Sequence, residues 1–395
     1  MYRLVFSALA LISTLGISSI AAAQNCGGGF YGFVQDLKSE ARARGYSSAL
    51  SEQFFASVAQ DPKVIKADRA QGVFQLPFLE FSGRLISDHR LQHGAKNAAK
   101  YKGEFDYIER ELGVPRGVLL AFWAFETDYG AFQGNFNTLN ALVTLAHDCR
   151  RPELFRPQIF AALELFKRGD FDPVTTTGAW AGEIGMVQML PEDILVNGID
   201  GDGDGQVQLK TSAPDALMSG ASMLRALGWQ PNQPWLQQVT LPADMDWSLS
   251  GLTNEKSLRE WAALGLRGRH KPLGSDDNLM ASVLLPQGHK GPAFLVYPNF
   301  RVFIEWNESL IYITTAGYFA TLLEGGAPLD PVSPDTGLTG DQMRVLQQKL
   351  VELGFDVGDV DGILGAKTRA AVRIVQDVLA MPIDGWPTPA LLNSF

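Results

Sequence analysis

The sequence predicts a mainly α fold of the α+β kind, with a small β-containing subdomain and a compact helical unit at its C-terminus. Three observations carry that prediction. Apolar residues recur at helical spacing between polar breaks through most of residues 30–229. Short β-like runs, QQVTLPADMDW and SVLLPQG, fall among proline, tryptophan and polar residues between positions 231 and 290. Residues 324–340, EGGAPLDPVSPDTGLTG, read as a glycine- and proline-rich linker, and so as a domain boundary. The resulting division is a leader at 1–23, a large domain at 24–325, a linker at 326–337 and a small domain at 338–395.

The 395 residues suffice for two or three domains, and 46% hydrophobic with 19% charged residues is ordinary for a globular protein. A net charge of −10 with no basic stripe argues against a nucleic-acid partner. At the N-terminus, Arg3 precedes an apolar run from Val5 to Ile20, and Ala21-Ala22-Ala23 offers small residues for cleavage before Gln24. That is the pattern of a secretory signal. No other run reaches the length of a membrane span, and Asn25 before Cys26 does not suit lipid attachment. The mature protein is expected to be exported, soluble and in an oxidising compartment. There, Cys26 and Cys149 favour an intramolecular disulfide, whose long loop is stabilising by roughly 4–5 kcal/mol in the chain-entropy model. A buried free Cys149 is the alternative.

In chain order, GFVQDLKSEARARG sets Phe33, Leu37 and Ala41 on one helical face and ends at Gly45. Serine caps open SSALSEQFFASV. The stretch from Ser82 to Leu112 reads as one or two amphipathic helices. Then comes GVLLAFWAFETDYG, residues 117–130, with Pro115 where a first turn begins and Gly130 where an αL cap ends it. Apolar residues cover nearly its whole circumference, so it should be buried on most sides. Its one carboxylate near the far end, Glu126, has Phe122 at i−4, Leu119 at i−7 and Tyr129 at i+3. Burial and the negative end of a helix dipole both disfavour the ionised form and push the pKa upward. General acids are kept protonated in this way. A structural glutamate at a helix end fits the same pattern, and this segment alone does not separate the two.

Beyond Gly130, Asn135 and Asn137 lie in a turn-rich piece, and Thr138 is placed to cap a helix through Leu142 and Leu145. ELFRPQIFAALELFKRGDFDP is a further amphipathic helix with a stop at Pro173. In TTTGAWAGEIGMVQMLP, the close spacing of Gly178, Gly182 and Gly185 argues for a tight backbone approach. Trp180, Met186, Gln188 and Met189 between them suit a sugar-lined groove, and helix packing through small residues suits the glycines equally. IDGDGDGQVQL places Asp200, Asp202, Asp204 and Gly205 at positions 1, 3, 5 and 6 of a calcium loop, with the Gln206 carbonyl at position 7. Position 12 is Thr211 in place of the usual glutamate, and Asp215 is the nearby carboxylate that could substitute. A plain Asp-Gly turn is the alternative.

A helix over 212–229 ends at Gly228. Phe294 to Tyr297 and Arg301 to Glu305 read as two strands around a Pro-Asn turn, leading into a helix from Asn307 or Ser309. Trp306, Asn307 and Tyr312 gather stacking and hydrogen-bonding groups on that short piece. The C-terminal unit sets Leu346, Leu350 and Leu353 on one helical face, turns at VDGILG, and continues with KTRAAVRIVQDVL and MPIDGWPTPALL. Without a cysteine, a histidine or a carboxylate in an apolar stripe, it reads as a binding module.

That unit carries a resemblance. LQQKL, LGF, VDGILGAKTRAAV, IVQ and IDG look like the small three-helix peptidoglycan-binding domain of bacterial wall hydrolases, over about residues 338–393. Over about residues 30–325, FETDYG, TLNALVTLA, CRRPELF, GAWAGEIGMVQMLP, DGDGDGQVQL, DALMSGASMLRALGW and YPNFRVFIEWN appear in the order of the lytic murein transglycosylase B family. The resemblance implies a lysozyme-like helical catalytic domain that cleaves the β-1,4 bond between N-acetylmuramic acid and N-acetylglucosamine without water, leaving a 1,6-anhydro sugar. Glu126 would act as acid and then as base, with the substrate's N-acetyl group standing in for a second carboxylate.

The resemblance further implies that Gln188 and Met189 line the groove near the scissile sugar, with Trp306, Asn307 and Tyr312 on the other wall. Asp128 is expected to point away on the helix, and Glu183 falls at a position the family does not use catalytically. Two departures stand out. Ala179 replaces a frequent serine whose hydroxyl can bond the catalytic carboxyl, and Trp306 replaces a common tyrosine. The calcium loop also matches the family, with Asp215 where its final carboxylate is expected. No cofactor is implied for the chemistry, at most one structural calcium ion. The implied partner is the peptidoglycan glycan strand, in the periplasm. A hydrolytic muramidase of the same fold and an inactive wall-binding scaffold are the alternatives.

Overall fold

The computed structural model describes residues 26–70 and 76–395, so the leader predicted at 1–23 lies outside the described residues. Helices α1 (Phe30–Ala43), α2 (Ser48–Phe55), α3 (Pro62–Asp68), α4 (Phe78–Leu85), α5 (Asp88–Lys100) and α6 (Lys102–Leu112) form the first layer. Ser47, Asp61 and Ser87 cap three of them through side-chain oxygens. The apolar segment becomes α7 (Arg116–Thr127), with every residue from Gly117 to Trp123 buried. After the short strand β1 (Phe136–Asn137) come α8 (Thr138–His147) and α9 (Pro152–Arg168), and then strand β2 (Thr177–Gly178) pairs back on β1. Asn137, one residue before the expected Thr138, caps α8 by accepting from the Asn140 N–H. Helices α10 (Pro191–Asn197) and α11 (Ala213–Ala226) close this half.

The β subdomain consists of β3 (Leu236–Thr240), β4 (Lys256–Ser257), helix α12 (Leu258–Ala263), β5 (Arg267–Gly268), β6 (Met280–Leu284) and β7 (Phe294–Val296). Its strands pair antiparallel in the order β4-β6-β7-β3-β5. A second apolar cluster around Trp261, Val283, Leu295 and Tyr297 lies on this sheet. The strand expected at Arg301 to Glu305 is instead helical: α13 (Pro298–Trp306) starts at a proline that suits the first helical turn. Its buried residues, Asn299, Phe300, Val302 and Phe303, follow helical spacing, and β-branched and aromatic content had suggested a strand. Ser309 then caps α14 (Leu310–Leu323).

The C-terminal unit contains α15 (Gly340–Glu352), α16 (Ala366–Val378) and α17 (Pro389–Leu392). Leu346 and Leu350 are buried as expected, whereas Leu353 is 60% exposed because α15 has ended and the residue sits at its C-cap. Gln347 and Gln376 stitch its two turns, accepting from the Gly362 and Gly385 N–H groups at 2.8 Å each. This unit is docked on the β subdomain. Arg373 donates to the Ser248 and Ser250 carbonyls at 2.8 and 2.7 Å, and Asp384 accepts from His289 Nδ1 at 2.6 Å. Among the described residues, no helix is long and apolar enough to cross a membrane.

Candidate active site

Helix α7 is held at both ends by α14. At its start, the Gly117 N–H donates to Glu324 Oε1 at 2.7 Å, placing a carboxylate on the positive end of the helix. Gly117 is needed there, because a Cβ would lie 2.7 Å from the Ala320 carbonyl. At its end, Tyr312 from the first turn of α14 reaches Glu126. The two helices therefore run antiparallel, with Phe125 stacked on Phe319 between them at 5.0 Å.

Helix α7 stops sooner than Gly130. Asp128, Tyr129 and Gly130 all have positive φ, and the Asp128 and Tyr129 N–H groups close onto the Ala124 and Trp123 carbonyls. Arg90 fixes this unusual end: its Nε donates to Asp128 Oδ1 at 2.9 Å, and its carbonyl accepts from the Tyr129 hydroxyl at 2.9 Å. Asp128 thus turns away from Glu126, as expected, but from an αL cap and not from a helical position. Thr127 donates to the Met186 carbonyl at 2.6 Å, which ties the helix end to the GMVQ segment.

Glu126 is partly buried at the wall of a groove of about 560 Å³. Its Oε1 accepts two hydrogen bonds, from the Tyr312 hydroxyl at 2.5 Å and from the Trp306 indole N–H at 3.1 Å. The Trp306 ring in turn stacks on Phe122, one turn before Glu126, at 4.3 Å. Burial raises the Glu126 pKa to about 7; the two donors pull against this, and the nearby Glu183 adds to it. Near neutral pH the group therefore exists in both protonation states. Tyr312 is pushed well up by burial and by Glu126, so it remains a donor.

The opposite lip is the 178–190 segment. Gln188 lines the groove with φ +53° and binds its own Gly185 carbonyl through Nε2 at 2.7 Å. Holding a non-glycine residue in this region is strained and is common at functional sites. Met189, expected beside it, is 1% exposed and belongs to the main core; its N–H and carbonyl pair with Ile184. The turn that displays Gln188 leads directly into the bridge that buries its neighbour. The glycines serve chain-to-chain approach. A Cβ on Gly178 would lie 1.9 Å from the Glu183 carbonyl, and one on Gly182 would lie 2.3 Å from Leu142. Asn307 lines the groove while its Oδ1 accepts from the Ser309 N–H. Trp180, Glu183, Asp193 and Glu305 line it as well and were not among the predicted site residues. Only Trp180 had a signal, as an aromatic among glycines. Ala179 also faces the groove, so no hydroxyl at that position reaches Glu126.

The model of the transglycosylase SLT domain matches residues 29–321, three quarters of the chain, and that of the peptidoglycan binding domain matches residues 339–394. The chain belongs to the transglycosylase SLT family. Crystal structures of SltB3 from Pseudomonas aeruginosa, in complex with NAG-anhNAM-pentapeptide or NAG-NAM-pentapeptide, are similar at 37% and 38% identity. Both superpose with a TM-score of 0.83, covering 93% of this chain and 99% or 100% of theirs. The membrane-bound lytic murein transglycosylase B of Escherichia coli K12 is 27% identical over 239 residues, 60% of this chain and 64% of its own length. Slt35 of Escherichia coli in complex with calcium shares the fold, with a TM-score of 0.65 at 23% identity over 76% of this chain and 96% of that one.

Elsewhere in this SLT domain, the Asp-Gly loop was the predicted metal site. Carboxylate oxygens of Asp200, Asp202 and Asp204 come within 4.8 Å of one another, a donor set whose chemistry fits a hard divalent cation. Asp215, expected as the final ligand of the loop, hydrogen-bonds its backbone. It is fully buried and its Oδ1 and Oδ2 accept from the Gly201 and Gln208 N–H groups at 2.9 and 2.7 Å, holding the loop from inside. Ser212 links it to the loop, donating to Asp202 at 2.7 Å. The side chain of Gln206 pairs with Gln208. Cys26 and Cys149 are joined in a disulfide that staples the start of the described chain to the end of α8.

Proposed function

We propose that the protein is a periplasmic lytic transglycosylase that cleaves the MurNAc-β-1,4-GlcNAc bond of peptidoglycan and leaves a 1,6-anhydro-MurNAc end. The observation that carries this reading is the single carboxyl on the groove-facing end of α7, poised near neutral pH and gripped by two donors on one oxygen. Membership of the SLT family and the fragments in the SltB3 complexes support the substrate class.

In the first step, protonated Glu126 gives its proton to the glycosidic oxygen as the C1–O4 bond breaks. The Tyr312 and Trp306 donors then stabilise the carboxylate that forms, and they need no reorganisation to do so. In the second step, the muramyl O6 bonds to C1 and Glu126 takes its proton, which returns the enzyme to its starting state. No water is consumed. The substrate's N-acetyl oxygen stabilises the positive C1 between the steps, as in substrate-assisted glycosidases. Gln188 and Asn307 flank the groove as polar contacts for the sugar. Asp200, Asp202 and Asp204 would hold a structural calcium ion, whose charge would secure the loop; the chemistry does not run through it. The C-terminal unit would add affinity for the wall.

Digestion of purified sacculi followed by mass spectrometry tests this directly. The anhydro product is expected. A product one water heavier would indicate a hydrolytic muramidase, and release of no muropeptide at any pH would indicate a binding scaffold.

A further inference from the structure

Glu183 stands in the same groove as Glu126, and no step above uses it. Its carboxyl is buried; its own N–H and that of Ala181 donate to it, and Oε2 is left without a donor. The backbone beneath it is tightly held. Its carbonyl accepts from the Ala179 N–H at 2.9 Å, Gly178 lies too close to it for any side chain, and Ile184 pairs with Met189 in both directions. The cation whose charge acts on it is Arg151, which pairs with Asp68 through Nη2, lies over the Phe155 ring at 5.1 Å and keeps its Nε unpartnered. The position therefore presents to the groove a buried carboxyl with one oxygen unpaired, on a backbone too tightly held to move it away.

We infer that Glu183 is a positioning residue for the catalytic proton, sharing one negative charge with Glu126 across the groove so that the proton stays on Glu126 until the glycosidic oxygen takes it. This rests on the reading of Glu126 as the acid and base. Two carboxyls in one partly dry site oppose each other's ionisation, so the pair titrates as a unit and retains a proton to higher pH than either alone. The directions agree: burial raises Glu183, and its charge is among the causes that raise Glu126. The Glu183 and Ala181 N–H groups and the Arg151 charge pull the other way on Glu183, and burial outweighs them. Asp193 from α10 and Glu305 from α13 line the same groove, and no lysine, arginine or histidine does so among the described residues. Tyr312 from α14 donates to Glu126, and Arg90 from α5 is spent on Asp128. Once Glu126 has lost its proton, the same repulsion makes it a stronger base for the O6 hydroxyl.

The test is the pH profile of muropeptide release from about pH 4 to about pH 9, each curve scaled to its own maximum. In Glu183→Gln the alkaline limb of kcat/KM is expected to move about half a unit to one unit lower. Scaled activity just above the wild-type limb then falls about three- to tenfold. Glu183→Asp keeps the charge and restores the limb, and Glu183→Ala provides a second neutral variant that should move it as the glutamine does. Superimposable profiles in the neutral variants, or a loss in equal proportion at every pH, would overturn the inference. Glu126→Gln separates the two readings. If it remains active, the assignment of Glu126 fails; if it is inactive and the limb stays in place, only the role of Glu183 fails.

Discussion

The two walls of the groove differ in how they contribute to one carboxyl. The α7 wall supplies Glu126 itself, an apolar helix that strips water from it, and an αL end locked by Arg90. The wall made by α13 and α14 supplies what the helix lacks, the Tyr312 and Trp306 donors that make ionisation possible at all. Burial alone would yield an acid too reluctant to give up its proton, and donors alone would yield an ordinary carboxylate. The acid and the base functions of Glu126 are therefore set from opposite sides of the groove. Ala179 fits this division: the loop side brings no hydroxyl to Glu126, and an indole N–H reaches it from the far side.

Each contribution can be removed in turn by a single substitution. The largest effect belongs to Glu126→Gln, for which activity should fall about 10³- to 10⁴-fold, since one group serves both steps. The same variant reports on stability. The Glu126 pKa is raised from 4.5 to about 7, so the stability of its protonated form is complete below 4.5 and is lost as the pH rises through about 7. Glutamine does not ionise, so thermal melts should show Glu126→Gln gaining on wild type at about pH 8 relative to about pH 5. Wild-type activity should itself decline through about pH 7 as the acid form is lost.

Tyr312→Phe should come next, with kcat reduced about 10- to 100-fold for a hydrogen bond to a charged group. Because the Tyr312 bond lowers the Glu126 pKa, its loss should move the alkaline limb to higher pH, opposite to the shift expected of Glu183→Gln. Trp306→Phe keeps a ring on Phe122 and loses only the longer donor, so a reduction of about three- to tenfold is expected, again with an upward limb. The smallest effect on turnover is expected from Asp202→Asn. It should abolish any rise in melting temperature on adding calcium while leaving the anhydro product unchanged. A calcium-independent melting temperature in wild type would contradict the metal assignment.

Much of the α7 wall was legible in the sequence, because a helix writes its face in local spacing: Phe122 and Glu126 are one turn apart wherever the chain goes. The far wall was not. VFIE at 302–305 has the composition of a strand, and its helical form goes with the packing of Phe303 against Phe122, Trp229 and Phe300, which local sequence does not show. Met189 was misplaced for a related reason, since residue type says nothing about which neighbour of Gln188 turns inward. Glu183 and Asp193 carried no local signal, and they join the groove only through the fold of the glycine segment and α10. Asp215 was located at the right loop, and its hydrogen bonds to the loop N–H groups are tertiary facts that the spacing does not show.

The most direct measurement is digestion of sacculi in water enriched in oxygen-18, with the released muropeptides weighed. If Glu126 returns the O6 proton to itself and water takes no part, the new muramyl ends carry no label and are anhydro. A labelled, one-water-heavier end produced by the wild type and abolished in Glu126→Gln would show that water attacks C1, and would contradict the account.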